Sequence, residues 1–354
     1  MIRIRNCNTS VLGYVLSTSL RRWTRQSVDC YYNGLQCKFC ALPDDIKAQC
    51  KMKPVVLAPM AGVTDKPFRK MVRLFGEQPL YTEMIATESL FRNHPATRKM
   101  LEISDEKNII IQLVGIHPEA FDYAARLATD SGAVALDINM GCPVKKLISN
   151  GSGAALLKTP DIAAHLVETV KKATSLPVFV KMRIGWDKDH MNAVPFAKLM
   201  ESAGADRLTI HARTRDQGYA GIPDWKTVAD VKQAVSIPVF ANGNITDRSS
   251  AEQVLKATHA DGIMIGRGAL GQPWILTETE TGQKPIFDLE EIICQHIDLL
   301  MDCYGKHGVF IARKHIAWYL RSQKNVAQFC QNVYAQTDVA KIKEMIHLFL
   351  RGNI

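Results

Sequence analysis

The sequence predicts an α/β fold, a (β/α)8 TIM barrel followed by a small C-terminal helical domain. Three observations carry that prediction. From Val55 onward, eight short runs rich in Val and Ile alternate with amphipathic stretches, which is the pattern of a parallel sheet with helical crossovers. The runs start 23 to 32 residues apart, except for one gap of 43, and eight such units over about 220 residues match the length of a barrel. After about residue 280 the strand-like runs cease, and amphipathic helices follow.

The runs are "VVLAP" from Val55, "LYTEM" from Leu80, "IIIQLVG" from Ile109, "ALDINM" from Ala135, "VFVKMRI" from Val178, "RLTIHA" from Arg207, "VFANGN" from Val239 and "GIMIGR" from Gly262. Between them, "PEAFDYAARLATDSGA" places Phe121, Ala125 and Leu127 or Ala128 near helical spacing. "PDIAAHLVETVKKAT" opens with Pro160 and Asp161, where a helix N-terminus favours them. "DWKTVADVKQAVS" and "DRSSAEQVLKATHA" repeat the pattern, and the long gap begins at "GCP". Beyond the barrel, "LEEIICQHIDLLMDCYG", "VFIARKHIAWYLRSQ" and "DVAKIKEMIHLFLRG" read as helices. The predicted organisation is an extension over 1–51, a barrel over 52–280 and a helical domain over 281–354.

The chain of 354 residues is 47% hydrophobic and 22% charged, an ordinary globular composition. It has no run of about eighteen apolar residues of the kind a membrane-spanning helix needs, so a soluble, cytoplasmic protein is expected. Of the net charge of +9, residues 1–51 hold +5 (eight Lys/Arg against three Asp/Glu) and the rest +4. The extension also holds five of the nine cysteines, Cys7, Cys30, Cys37, Cys40 and Cys50. An odd, scattered count is not a disulfide framework. Cys37 and Cys40 have metal-ligand spacing, but no second pair follows, so free thiols in a loosely ordered segment are expected and no metal site. Arg3, Arg5, Arg21, Arg22 and Arg25 precede the first acid, Asp29. That is the composition of an organelle transit peptide; an extension upstream of a start at Met52 is the alternative.

Barrel chemistry lies at the C-terminal ends of the strands. There the sequence delivers Pro59-Met60-Ala61-Gly62, Glu83, Gln112 with Gly115, Asn139 with Gly141 and Cys142, Lys181 with Arg183, His211 with Arg213, Asn242-Gly243-Asn244 and Gly266-Arg267-Gly268. Glycine turns after the last two strands are the usual barrel phosphate cradle, because they let backbone N–H groups approach an anion. Lys181 and Gln112 interrupt apolar runs, and a flat hydrogen-bonding ligand such as a flavin ring would partner both. A structural ion pair or a satisfied core amide is the alternative for each. His211 fits either a strand-end structural role or a site role. Arg213, Arg215 and Arg267 make the rim electropositive, which suits phosphate or an RNA backbone.

Together "APMAGVTDKPFR" (58–69), "DINMGCP" (137–143), "VKMRIGW" (180–186), "TIHARTR" (209–215), "VFANGNI" (239–245) and "IGRGALGQPWI" (265–275) resemble the signatures of tRNA-dihydrouridine synthases, and "IARKHIAWYL" (311–320) resembles the bacterial B-type branch. The resemblance implies an FMN-binding barrel and a helical tRNA-binding domain, reducing the C5–C6 bond of particular uridines with NADPH. It assigns FMN contacts to Pro59, Met60, Ala61, Gln112, Lys181, His211, Asn242, Gly243, Asn244, Gly266 and Arg267. The B-type pattern more often has Asp where this chain has Asn244, which a backbone contact tolerates. The resemblance also makes Cys142 the general acid that protonates uracil C5, as a thiol with an ordinary pKa near 8.5 suits, and gives Asn139 and Arg183 to the substrate. Arg313 and Lys314 belong to a basic, acid-free helical face, from Cys303 to Thr337, expected to meet tRNA phosphates. No membrane and no obligate protein partner are expected.

Three rivals remain at this level: an FMN barrel acting on free pyrimidines, a non-catalytic tRNA binder, and a metal-dependent barrel lyase. The basic helical domain argues against the first, the full set of strand-end motifs against the second, and the absence of a convergent His/Asp/Glu set against the third.

Overall fold

The computed structural model describes residues 52–352 and, upstream, two two-residue strands, Tyr31–Tyr32 and Leu35–Gln36, which pair antiparallel. The Cys37/Cys40 pair and the rest of the expected basic extension lie outside the described residues. Residues 52–354 form one compact unit.

Every predicted run contains a strand. They are β1 (Val55–Leu57), β2 (Leu80–Ala86), β3 (Ile109–Val114), β4 (Ala135–Met140), β5 (Val178–Arg183), β6 (Arg207–His211), β7 (Val239–Asn242) and β8 (Gly262–Ile265). They pair in parallel in the order β1-β8-β7-β6-β5-β4-β3-β2, and β1 and β2 approach one another without a ladder, so the barrel is nearly closed. The helices between them include α1 (Lys66–Arg73), α2 (Pro118–Asp130), α3 (Pro160–Ala173), α4 (Ala193–Ser202), α5 (Trp225–Ala234) and α6 (Arg248–Thr258). Asp65, Asp224 and Asp247 cap α1, α5 and α6, each side chain accepting from a backbone N–H of the first turn. A cap of this kind is worth roughly 1 kcal/mol.

The two-residue period of the strands divides the chain between two cores. Leu136, Ile138, Val180, Met182, Leu208, Ile210, Ala241 and Ile263 face the helices and pack with Phe121, Val167 and Phe196. The alternate residues point into the barrel. Val56, Tyr81, Ile110, Ala135, Phe240 and Met264 fill its floor, with Phe179 against them. Higher on the same strands the inward residues turn polar: Gln112, Asp137, Thr209 and Asn242, then Asn139, Arg183 and His211. The barrel is therefore largely apolar at its base, where Arg207 lies against Phe179 and Phe240, and hydrogen-bonding at its mouth. Strand β2 shifts register between Tyr81 and Met84, a bulge that re-aims side chains beside the mouth.

The 43-residue interval holds a short helix, Lys145–Ile148, and a 3-10 turn, Gly153–Lys158, before α3 begins at Pro160. After β8 come α7 (Ile275–Thr281), α8 (Leu289–Tyr304), α9 (Gly308–Leu320), α10 (Val326–Tyr334) and α11 (Val339–Leu350). Ile275 and Leu276 of α7 join the barrel core, while α8 to α11 share a core of Ile293, Ile297, Leu300, Ile316, Leu320, Phe329, Val333, Ile342 and Ile346, which Met71 of α1 joins. Among the described residues, no helix is long and apolar enough to cross a membrane.

Candidate active site

The thiol of Cys142 stands on the loop leaving β4, held from both sides of its peptide. Its backbone N–H and that of Gly141 donate to Asn139 Oδ1, at 2.9 and 3.1 Å. Its carbonyl accepts from Ala154 N at 3.1 Å. Gly153 permits this approach: its φ is +62°, and a Cβ there would lie 2.8 Å from the Cys142 carbonyl oxygen. Arg183 Nε donates to Gly141 O at 2.8 Å. Cys142 is partly exposed, and burial pushes its thiol above the ordinary range despite the backbone N–H of Val144 and the charges of Arg183 and Lys181. The thiol is protonated at neutral pH.

Beneath the loop runs a buried polar chain. Asn139 Nδ2 donates to Gln112 Oε1 at 2.8 Å, and Gln112 Nε2 donates to Asp137 Oδ2 at 2.6 Å. Asp137 is fully buried; burial raises its carboxyl to about 6, opposed by Gln112, Arg207 and Lys181. Lys181 Nζ donates to Asn242 Oδ1 at 3.1 Å, and Asn242 Nδ2 to Met264 O at 2.8 Å. Burial, aided by Arg183, brings Lys181 down to about 8.

On the opposite rim, the strand ends of β6, β7 and β8 gather cations around a glycine. Gly243 has φ +140°, and a Cβ on it would meet Trp225 at 3.3 Å, His211 at 3.5 Å and Arg213 Nη1 at 3.7 Å. Arg213 is 1% exposed. Its Nε donates to Ala220 O, and its Nη2 to Gly221 O and Asn244 Oδ1. Its Nη1 is buried with no partner among the described residues. Asn244, with φ +43°, also accepts from Arg267 Nη2 at 3.3 Å. Arg267 lies 5.0 Å from the centre of the Tyr219 ring. His211 is held well below the ordinary imidazole range by burial and by Lys181, Arg183, Arg213 and Arg267, so it is neutral there. Pro59, Met60 and Ala61 turn at the rim, stabilised by Val63 and Thr64 N–H groups on Met60 O. A Cβ on Gly266 would lie 3.9 Å from Met60 Sδ.

The structure therefore brings together Pro59 to Ala61, Gln112, Asn139, Cys142, Lys181, His211, Asn242 to Asn244, Gly266 and Arg267 around one mouth. Five residues sit differently from the expectation. Gln112 finds partners at both amide ends within the chain, because Asp137 and Asn139 lie on the neighbouring strand. Asn139, expected on the uracil, uses its oxygen for two backbone N–H groups. Arg183, also expected on substrate, is 1% exposed and donates to the carbonyls of Gly141, Thr214 and Gly218; it ties the Cys142 loop to the loop after β6. Lys314 donates to Gly62 O, and Arg313 packs over Phe310 at 4.7 Å and reaches Gln336 O. Carbonyl directions of this kind are not written in side-chain patterns. Three contributors were missed in the sequence reading: Asp137, whose strand position in "DINM" was the available signal, and two rim aromatics. Tyr219 lies between Arg183 and Arg267, and Trp186 between Lys158 at 4.8 Å and Arg215 at 4.4 Å.

Comparison with known proteins follows from this geometry. The family described as dihydrouridine synthase (Dus) matches residues 56–351. A probable tRNA-dihydrouridine synthase of Rickettsia conorii is 40% identical over 83% of this chain and 92% of its own length. The tRNA-dihydrouridine synthase B of Pectobacterium carotovorum is 39% identical, covering 84% of this chain and 96% of that protein. Among solved structures, histamine dehydrogenase from Rhizobium sp. 4-9 superposes with a TM-score of 0.52 at 11% identity, over 70% of this chain and 49% of that one, a likeness of fold. With its barrel, its strand-end motifs and these relatives, the chain belongs to the dihydrouridine synthase family.

Proposed function

We propose that this chain is an FMN-dependent tRNA-dihydrouridine synthase, which reduces the C5–C6 bond of particular uridines with NADPH as electron donor. The names of its relatives give the tRNA substrate and the product. Two features of the mouth fit a flavin mononucleotide. Arg213 Nη1 is a buried charged donor without a partner, a costly arrangement that a phosphate oxygen relieves. Beside it, Gly243 leaves backbone exposed where a side chain does not fit, as a phosphate cradle requires. Asn242, Gly243, Asn244, Gly266 and Arg267 would hold the phosphate with Arg213, while Pro59, Met60, Ala61, Gln112, Lys181 and His211 would border the ring.

When bound, the flavin supplies hydride to C6 of the uracil. The chain supplies the rest. Cys142 Sγ holds a proton at neutral pH and delivers it to C5, and the thiolate left behind is stabilised by the Arg183 and Lys181 charges. Gly141 and Pro143 flank the thiol, and its peptide is hydrogen-bonded on both sides, so its direction is fixed before substrate arrives. The uridine must leave the tRNA stack to reach it, at a cost of a few kcal/mol, and the rim cations and the basic helical face favour the RNA backbone.

The observation that carries this reading is Cys142, its peptide anchored on both sides, at a mouth where Arg213 Nη1 is buried without a partner among the described residues. Its test is Cys142→Ala on unmodified tRNA transcript. Bound flavin, tRNA affinity and NADPH oxidation are expected to persist, while dihydrouridine formation drops on the order of 10²- to 10⁴-fold. Full dihydrouridine formation by the variant removes the proton-donor role, and turnover of free uracil or dihydroorotate with no action on tRNA points to the free-pyrimidine enzyme.

A further inference from the structure

We infer that Asp137 is a positioning residue for the proton donor: acting through Gln112 and Asn139, its carboxylate fixes the orientation of two buried amides and so holds the Gly141–Cys142 backbone in place. The inference rests on the proposed role of Cys142.

The argument is one of hydrogen-bond polarity. The two ends of a side-chain amide are chemically opposite, and an amide chain is ordered only when something fixes one terminus. At the upper end, the N–H groups of Gly141 and Cys142 require an acceptor, and Asn139 Oδ1 meets both. That choice turns Asn139 Nδ2 toward Gln112, which must then present Oε1. Gln112 Nε2 consequently points the other way and needs an acceptor at the lower end. Asp137 Oδ2 provides it at 2.6 Å. An ionised carboxylate only accepts, so Asp137 admits one orientation of Gln112 and, through it, one of Asn139.

Burial makes the chain the sole source of this order. Asp137, Gln112 and Asn139 are 0%, 1% and 8% exposed, so bulk water does not stand in for a missing partner. Lys181 and Arg207 keep the carboxylate charged against its burial. The second carboxylate oxygen has no partner among the described residues, so the Gln112 bond is the directional contact of Asp137. A flip of Gln112 would set Nε2 against Asn139 Nδ2 and release the Asn139 oxygen from the loop. Misplacing a reacting group by about 1 Å costs on the order of 100-fold in rate.

The test compares Asp137→Leu, which removes the acceptor, with Asp137→Asn, which removes the charge but keeps an oxygen for Gln112. Both are purified as holoenzyme. The first readout is the pH dependence of Cys142 alkylation by iodoacetamide, followed by mass spectrometry. The second is turnover on unmodified tRNA transcript, separated into kcat and KM. For Asp137→Leu, the alkylation midpoint is expected to fall toward that of an ordinary thiol, with kcat down at least about 10-fold and KM for tRNA unchanged. Asp137→Asn, which offers Gln112 a donor as well as an acceptor, is expected to fall between the wild type and Asp137→Leu in both. A wild-type alkylation profile and kcat in flavin-loaded Asp137→Leu overturns the inference, and so does an Asp137→Asn variant as impaired as Asp137→Leu. If Asp137→Leu does not fold, Gln112→Met cuts the next link, with the same expected and overturning results on the alkylation profile. The alkylation readout does not use the reaction, so a failed proton-donor role, seen as an active Cys142→Ala, is distinguishable from a failed positioning role.

Discussion

Arg207 at the floor of the barrel and Arg213 at its mouth are both buried guanidiniums, 9% and 1% exposed, and the fold accommodates them differently. Arg207 lies between two aromatic faces, 3.6 Å from the centre of Phe179 and 4.5 Å from Phe240. It also donates to Tyr81 Oη at 2.5 Å. Its Nε has no hydrogen-bond partner among the described residues, but its guanidinium lies against the two rings. Arg213 donates to three oxygens of its own rim yet keeps Nη1 buried and unpaired. Each guanidinium keeps one buried N–H without a partner among the described residues; what differs is the neighbourhood, two aromatic faces over Arg207 at the floor and the open backbone of Gly243 beside Arg213 at the mouth.

The largest effects expected from this contrast come from removing each cation. Arg207→Met loses cation–π contacts and a buried hydrogen bond, and is expected to lower stability by about 2 to 4 kcal/mol, read by chemical denaturation, with FMN affinity unchanged. Arg213→Leu is expected to weaken FMN binding by about 1.5 to 3 kcal/mol, read by flavin fluorescence. Equal loss of FMN affinity in both variants would erase the distinction. A finer comparison uses two glycines. Gly262→Ala drives a methyl to 2.6 Å from the Phe240 ring and is expected to cost about 1 to 3 kcal/mol of stability without touching the flavin. Gly243→Ala, at φ +140°, is expected to cost a similar or smaller amount of stability and, unlike the floor variant, to weaken FMN as well.

The smallest effect is a pH dependence at the mouth. Lys181 is held down to about 8 by burial, while the unfolded chain keeps its proton up to the ordinary lysine range. Between those values the unfolded state binds more protons, so stability rises with pH across that window; below pH 8 the burial penalty is fully present. The rise is expected in wild-type denaturation midpoints taken below and above pH 8, and to be weaker in Lys181→Met. An identical slope in the two proteins would detach Lys181 from the effect.

The same division governs what was legible in the sequence. All eight strands announced themselves, since alternate residues such as Leu136 and Ile138 must face helices whatever the ligand. Cys142, Lys181 and the Gly243 turn were legible because each is chemically out of place in an apolar strand or at its end. The partners of these residues were not. Gln112 was read as awaiting a ligand, yet β4 brings Asp137 and Asn139 beside it in register. The sequence assigns Arg183 to substrate and Lys314 to a phosphate-binding face, yet each meets backbone carbonyls supplied by segments 31 to 252 residues away in the chain. Side-chain chemistry is local in sequence, whereas its saturation depends on which backbone the fold delivers.

The sealed floor also governs traffic. Tyr81, Phe179, Arg207, Phe240 and Met264 fill the base of the barrel, so a molecule that needs its interior comes in at the mouth. An electron donor and a nucleobase that both need its interior have no separate entrances. On the proposed function, the first would leave by the route the second uses to come in, a queue set by the architecture.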